Sequence, residues 1–269
     1  MTRGHGAGEA RVPLERLSPC VIDAQASCRL LCFNSAGTGA TVFRQWDRAS
    51  EPALNVVGIQ LPGREGRFAE PPARDVRVLT EQLGPSLVPL LDRPFALFGH
   101  SYGALVAFEL ARWLRRHGLP APLHLFVAGR PAPQLPYAYR KTYDLPDAEF
   151  IDVLRQYGGT RENILADAKA LRFFLPIIRA DLEANTLYAY REEPPFTCGI
   201  TAMRGVEDPV CEEGPLLAWR EQTQGAFEHV PFAGAHFFHV QAAEPLLRQV
   251  EATLGPWLPR AGPRPSPVP

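Results

Sequence analysis

The chain has 269 residues, enough for one large α/β domain or two small ones, and its 46% hydrophobic and 21% charged content suits a globule with a substantial core. A formal net charge of -1 argues against a nucleic-acid or anionic-membrane partner held by bulk electrostatics. No apolar stretch reaches the length of a membrane span, and the N-terminus lacks the apolar core of a signal peptide.

In chain order, residues 1–19 are rich in Gly, Arg and Ala without a period and read as an unstructured tail. Residues 20–258 read as a single domain in which short apolar runs alternate with helical patterns. That alternation predicts an α/β fold with a mostly parallel central sheet and helices on both faces. Strands are expected at 29–33, 54–59, 94–98, 123–128, 200–203 and 228–232. Helices are expected over 76–91 with an interruption near Pro85, over 104–117 closed by Gly118 and Pro120, and over 243–254 stopped by Gly255. Residues 145–190 break the alternation, with helical periodicity from Phe150, Ile151 and Leu154 onward and no strand signal. One crossover needs only about a dozen residues, so this insertion reads as a helical lid over the C-terminal ends of the strands. Residues 259–269 are too proline-rich to pack. The five cysteines, Cys20, Cys28, Cys32, Cys198 and Cys211, are an odd set without CxxC spacing and read as reduced, mostly buried thiols of a cytoplasmic protein.

Chemistry enters at Gly99-His100-Ser101-Tyr102-Gly103, between the apolar run 94–98 and the amphipathic run 104–117. A G-x-S-x-G at a strand-to-helix junction is the nucleophile elbow of an α/β-hydrolase, with Ser101 lifted clear of the sheet by a turn too tight for side chains at its glycines. A serine needs a base to take its proton, and the base needs a carboxylate to fix its tautomer. In such folds the order is Ser, acid, His. Of the five histidines after Ser101, His117 closes the elbow helix, and His124 and His229 sit inside strand patterns. His236 and His239 remain. His236 follows the last strand among small residues, where a loop can reach Ser101, whereas His239 falls in the next apolar segment, so His236 is preferred. Asp208, in the loop after 200–203, is the preferred acid, with its neighbour Glu207 as rival. The oxyanion hole needs two backbone N–H groups. Tyr102 supplies one, and Ala36, in the small-residue loop Asn34-Ser35-Ala36-Gly37-Thr38-Gly39, supplies the other. A phosphate-cradling use of that loop is set aside, because neither a Gly-Lys-Ser/Thr ending nor a complete GxGxxG is present.

These residues, and segments along about 29–254, resemble the type II thioesterases, the discrete editing hydrolases of polyketide and nonribosomal peptide synthases; vertebrate medium-chain fatty-acyl thioesterases belong to the same group. The segments are Leu31-Cys32-Phe33 with Ala36-Gly37, Phe43-Arg44-Gln45-Trp46, and Gln60-Leu61-Pro62-Gly63-Arg64-Glu65. After the elbow come Phe126-Val127-Ala128-Gly129-Arg130, Leu145-Pro146-Asp147, Arg179-Ala180-Asp181, Asp208-Pro209 and His236-Phe237-Phe238. The resemblance implies Ser101 as nucleophile, Asp208 as acid and His236 as base. It implies an acyl thioester on the phosphopantetheine of an acyl or peptidyl carrier protein as substrate, an acyl-Ser101 intermediate, and no metal or cofactor of the enzyme's own. No carrier attachment serine is present, which fits a stand-alone partner, and nothing demands more than a monomer.

The chain departs from the family pattern at Asn34, Ser35, Thr38, Tyr102 and Ala235. Backbone donors do not depend on side chains, so the oxyanion hole is expected to survive, while Tyr102 and Thr38 are expected to narrow or polarise the acyl entrance. Arg64 and Arg67 suit either an acidic carrier and its phosphate or structural ion pairs. Phe173, Phe174 and Leu182 suit either an acyl channel or ordinary helix packing. A carboxylesterase or lipase, an acyltransferase, and a non-catalytic carrier binder are the competing functions.

Overall fold

The computed structural model describes residues 11–50, 53–136, 141–160 and 162–258, without the side chains of 48 and 49. In chain order its strands are β1 (Cys28–Phe33), β2 (Leu54–Gly58), β3 (Phe95–His100), β4 (His124–Ala128), β5 (Gly199–Gly205) and β6 (Phe227–Phe232). They form one six-stranded sheet in the order β2-β1-β3-β4-β5-β6, with every pairing parallel. The order reverses between β1 and β3, so the crevice at the strands' C-terminal ends is where a site belongs. All six strands stand where the apolar runs place them.

The helices are α1 (Leu14–Leu17), α2 (Arg44–Ala49), α3 (Val76–Leu87), α4 (Tyr102–Arg116), α5 (Asp147–Tyr157), α6 (Glu162–Leu165), α7 (Ala168–Thr186), α8 (Glu213–Leu217), α9 (Phe238–Gln241) and α10 (Ala243–Leu254). The pleat of β1 divides the core. Leu31 and Phe33 pack with α3 and α4 on one face, while Cys28, Leu30 and Cys32 pack with Trp46 of α2 and with Leu246, Leu247 and Val250 of α10 on the other. A strand buried on both faces reads as a near-continuous apolar run, and β1 does apart from Arg29, whose buried guanidinium pairs with Asp92 and donates to the Leu90 carbonyl at 2.9 Å. The helices α5, α6 and α7 lie between β4 and β5 and close a small core of their own around Phe150, Leu154, Leu165, Leu175 and Ile178. No helix among the described residues is long and apolar enough to cross a membrane.

Two expectations are corrected. Pro85 does not interrupt α3, which stays α-helical to Leu87 before a 3-10 turn at Val88–Leu90. An internal proline costs a helix about 3 kcal/mol. Close packing on α4 offsets it: a Cβ added at Gly84 would lie 2.6 Å from the Trp113 ring. The N-terminal tail also begins later than position 19, because residues 11–19 are ordered. Leu17 of α1 is fully buried, its carbonyl accepts from the Gln60 N–H at 2.7 Å, and the Val12 N–H donates to the Ser86 hydroxyl at 2.9 Å. The sequence shows no period there because a four-residue helix has room for none. Residues 1–10 and the proline-rich 259–269 lie outside the described residues.

Candidate active site

β3 ends at His100, the chain turns at Ser101 (φ 54°, ψ -117°), and α4 starts at Tyr102. A positive φ is unfavourable for serine, of order 1–3 kcal/mol, and persists only where the surroundings enforce it. Here the Ser101 N–H donates to the Ala128 carbonyl at 2.7 Å. The glycines are needed for space. A Cβ at Gly99 would stand 2.2 Å from the Gly103 carbonyl oxygen and 2.4 Å from the Ala104 Cα, and one at Gly103 would stand 2.2 Å from the Phe33 carbonyl oxygen. These neighbours are backbone atoms and cannot rotate away. Gly103→Ala is therefore expected to destabilise the fold by about 3 kcal/mol or more. The exposed control Gly214→Ala, with nothing within 4 Å of its Cβ, should be neutral or stabilising. Urea denaturation of both variants checks this.

Three loops at the strand ends converge on the serine. His236, after β6, places Nε2 3.1 Å from Ser101 Oγ. Its Nδ1 is 2.9 Å from Asp208 Oδ2, in the loop after β5. The network assigns the proton to Nδ1, donating to the carboxylate and leaving Nε2 to accept from the serine hydroxyl. The other Asp208 oxygen accepts the Val210 and Cys211 N–H groups at 2.8 and 3.2 Å, which fixes the carboxylate. Asp208 is buried and Glu207 is exposed. His239, in α9, is buried and stacked on His100 with ring centroids 3.8 Å apart. His124 is bound to the Thr201 hydroxyl at 2.8 Å, His229 stands 3.8 Å from Glu213, and His117 caps α4. Burial pushes the Cys211 thiol up to about 12, and the Cys28 and Cys198 thiols to about 11. None of those three is a thiolate nucleophile at neutral pH.

Tyr102, first residue of α4, has an N–H with no carbonyl one turn earlier in the helix to receive it. Across from it, in the loop after β1, the backbone donors on either side of Ala36 are taken. The Ser35 N–H donates to Asn34 Oδ1 at 2.9 Å, the Gly37 N–H to Asp181 Oδ2 at 2.7 Å, and the Thr38 N–H to the Ser35 carbonyl at 3.2 Å. The Ala36 N–H, between them, donates to no protein group among the described residues.

Two cavities meet at the serine. One, of about 480 Å³, runs past Arg130, Leu135 and Tyr188. The other, of about 370 Å³, lies under the helical block against Leu154, Phe174, Ile178 and Leu182, with Ala36 and Thr38 at its rim. Ser101, Asn185 and Val210 belong to both.

Several residues fall elsewhere than expected. Arg64 is 4% exposed and forms a bidentate pair with Asp181 at 2.6 and 2.8 Å. Arg67 is 6% exposed, pairs with Glu70, and donates to the Gln60 carbonyl. Both are structural ion pairs, and neither is available to a carrier. Tyr102 is fully buried and lines neither cavity, so of the two departures only Thr38 touches one. Phe174 and Leu182 line the second cavity, whereas Phe173 is exposed and packs on Phe68. The sequence reading gave no role to His100, whose buried Nε2–H donates to the His236 carbonyl at 2.7 Å, or to Asp181 and Asn185. A signal for Asp181 was available, since it is a carboxylate on the apolar stripe of a helix and must have a buried partner.

A family model for the thioesterase domain matches residues 28–254. The chain belongs to the thioesterase family. Its reaction is the hydrolysis of a thioester. Among curated relatives of this thioesterase, LgrE of Brevibacillus parabrevis is 41% identical over 245 residues, covering 90% of this chain and 93% of its own. That relative is named a linear gramicidin dehydrogenase. Here the loop after β1 reads Gly37-Thr38-Gly39-Ala40-Thr41-Val42 and does not complete a dinucleotide-binding Gly-x-Gly-x-x-Gly. The solved structure of RedJ, a thioesterase of the prodiginine pathway in Streptomyces coelicolor, aligns with TM-score 0.80 and 37% identity over 86% of this chain and 87% of that one. The type II thioesterase BorB of the borrelidin cluster aligns with TM-score 0.79 and 37% identity over 86% and 94%. The α/β fold with its parallel sheet is that of these thioesterases.

Proposed function

We propose that this thioesterase is a free-standing, cytoplasmic, monomeric type II enzyme acting on carrier-protein domains of a polyketide or nonribosomal peptide synthase. It hydrolyses stalled or aberrant acyl groups from their phosphopantetheine arms, with no metal or cofactor of its own and no nucleic-acid or membrane partner. The observation that carries this reading is the pair of cavities meeting at Ser101. A carrier-bound thioester extends far on both sides of its carbonyl, acyl chain one way and pantetheine the other, whereas a small ester fills one lobe. The likeness to BorB and RedJ supports the same reading.

In this mechanism His236 Nε2 takes the Ser101 proton as Oγ bonds to the thioester carbon. The charge moving onto the carbonyl oxygen meets the Ala36 and Tyr102 N–H groups. Asp208 holds the Nδ1–H tautomer and stabilises the imidazolium. Collapse breaks the C–S bond, and the imidazolium proton goes to the departing pantetheine sulfur. Water then attacks acyl-Ser101 with His236 as base; the second collapse returns the proton to Ser101 and frees the carboxylic acid. The helices of 145–190 act as the lid that keeps bulk water from the ester.

Intact-mass spectrometry of an acyl-loaded carrier protein, beside an oxygen ester of the same acyl group, tests the proposal. Loss of the acyl mass, faster than ester cleavage and with free acid released, is expected. An untouched carrier with rapid ester cleavage would leave a carboxylesterase or lipase, and acyl transfer to a second nucleophile an acyltransferase. Failure of a fluorophosphonate to label Ser101 would leave a non-catalytic carrier binder.

A further inference from the structure

One face of α7 lies on the loop that carries the Ala36 N–H. Ile178, Asp181 and Asn185 share that face, three and four residues apart. A Cβ at Gly37 would meet Ile178 Cγ1 at 2.3 Å, so helix and loop are in closest possible contact. Gly37 (φ 73°) accepts that contact in a left-handed conformation that favours glycine. Asp181, 1% exposed, accepts the Gly37 N–H at 2.7 Å with the same Oδ2 that receives Arg64 Nη1 at 2.6 Å. Its Oδ1 takes Arg64 Nη2 at 2.8 Å. Arg64, in the loop after β2, also donates from Nε to the Pro62 carbonyl at 3.2 Å. Burial works against the Arg64 charge, but the Asp181 carboxylate outweighs it and raises the guanidinium pKa. The pair is therefore a fixed ionic post joining three separate elements.

We propose that Asp181, held by Arg64, is a positioning residue that clamps the Gly37 peptide and thereby aims the neighbouring Ala36 N–H at the developing oxyanion. Because Asp181 belongs to α7, docking of the lid helix and completion of the oxyanion hole are one event. A lid that merely covered the site would contribute nothing to the hole itself. This inference rests on the thioesterase mechanism above, with its acyl-Ser101 step.

The test compares wild type, Asp181→Asn, Arg64→Lys and Ser101→Ala on an acyl-carrier substrate. Asp181→Asn is expected to lower kcat about 10- to 100-fold with KM within about 3-fold, less than complete loss of an oxyanion donor. Arg64→Lys keeps the charge but loses the fork and should fall between it and wild type. A trifluoromethyl-ketone analogue, whose tetrahedral adduct carries the oxyanion, should lose affinity in step with kcat/KM, while the matching planar amide binds as before. The pH profile should stay that of wild type, because His236 and Asp208 are untouched. Asp181→Glu, which keeps the charge and moves the carboxylate by one methylene, gives the same readouts if the Asn variant does not fold. A wild-type kcat, or ketone and amide weakening together, would overturn the proposal. An active Ser101→Ala would overturn the mechanism instead.

Discussion

Ser101→Ala is expected to lower kcat for acyl-carrier hydrolysis by about 10⁴- to 10⁶-fold, and Asp208→Asn by about 10⁴-fold. The two losses have different origins. In the proposed mechanism alanine removes the atom that would form the acyl-enzyme, leaving only whatever the Ala36 and Tyr102 N–H groups and binding do for direct attack by water. Asparagine leaves the shape of the site intact, but its amide group facing His236 Nδ1, now 2.9 Å from a carboxylate oxygen, favours the wrong tautomer. The proton then sits on Nε2, where Ser101 Oγ at 3.1 Å needs an acceptor. Asp208 Oδ1 also ties the backbone of Val210 and Cys211, a role an asparagine oxygen can still fill, so thermal melts of Asp208→Asn should stay near wild type. Progress curves by intact mass, with a melt for each variant, are the measurement. A Ser101→Ala enzyme that clears carriers at even a tenth of the wild-type rate would remove Ser101 from the chemistry.

Acid is the second expectation with a large effect. Three histidines are held neutral in the fold. Burial pulls His239 down to about 3 and His124 to about 4. His100 is driven well below its ordinary range by burial first, then by the neighbouring His239 and His236. In the unfolded chain each titrates near 6.5. Below that pH the unfolded state takes up protons that the native state refuses, so stability is complete above about pH 6.5 and falls as pH drops toward the native values. For His239 and His124 together, the loss between pH 6 and pH 5 is about 2 kcal/mol, a large part of a typical 5–15 kcal/mol total, and His100 acts in the same direction. Urea midpoints at pH 7, 6 and 5 should fall accordingly. His124→Gln, which can still reach the Thr201 hydroxyl, should make that fall shallower by about 1 kcal/mol. Midpoints independent of pH would show that these side chains become protonated within the native state at little cost.

The two expectations illustrate unequal legibility. The elbow could be read from five residues, because a strand, a glycine-flanked serine and a helix are each short-range patterns and their junction demands one backbone path. The chain order of Ser101, Asp208 and His236 could be read as well, since each candidate follows an apolar run. His100 could not, although it sits inside the motif, because its partner is the carbonyl of a residue 136 positions away. The arginines show the same limit from the other side. Their sequence context allowed both a phosphate partner and an internal one, and only the depth of Arg64 and Arg67 in the fold decides for the internal pair.

By itself, the sequence determined the six strands, the helices α3, α4 and α10 and the helical block between β4 and β5, the turn that strains Ser101, and the set of residues from which the site could be drawn. All of these follow from local periodicity and from which side chains a tight turn can hold. Tertiary structure alone decided that α3 continues through Pro85, that residues 11–19 join the core, and that two cavities meet at the serine. It also paired Arg64 with Asp181 across 117 positions and Gly37 with Asp181 across 144. A buried charge announces that a partner exists, but its address is set by how the helices pack on the sheet.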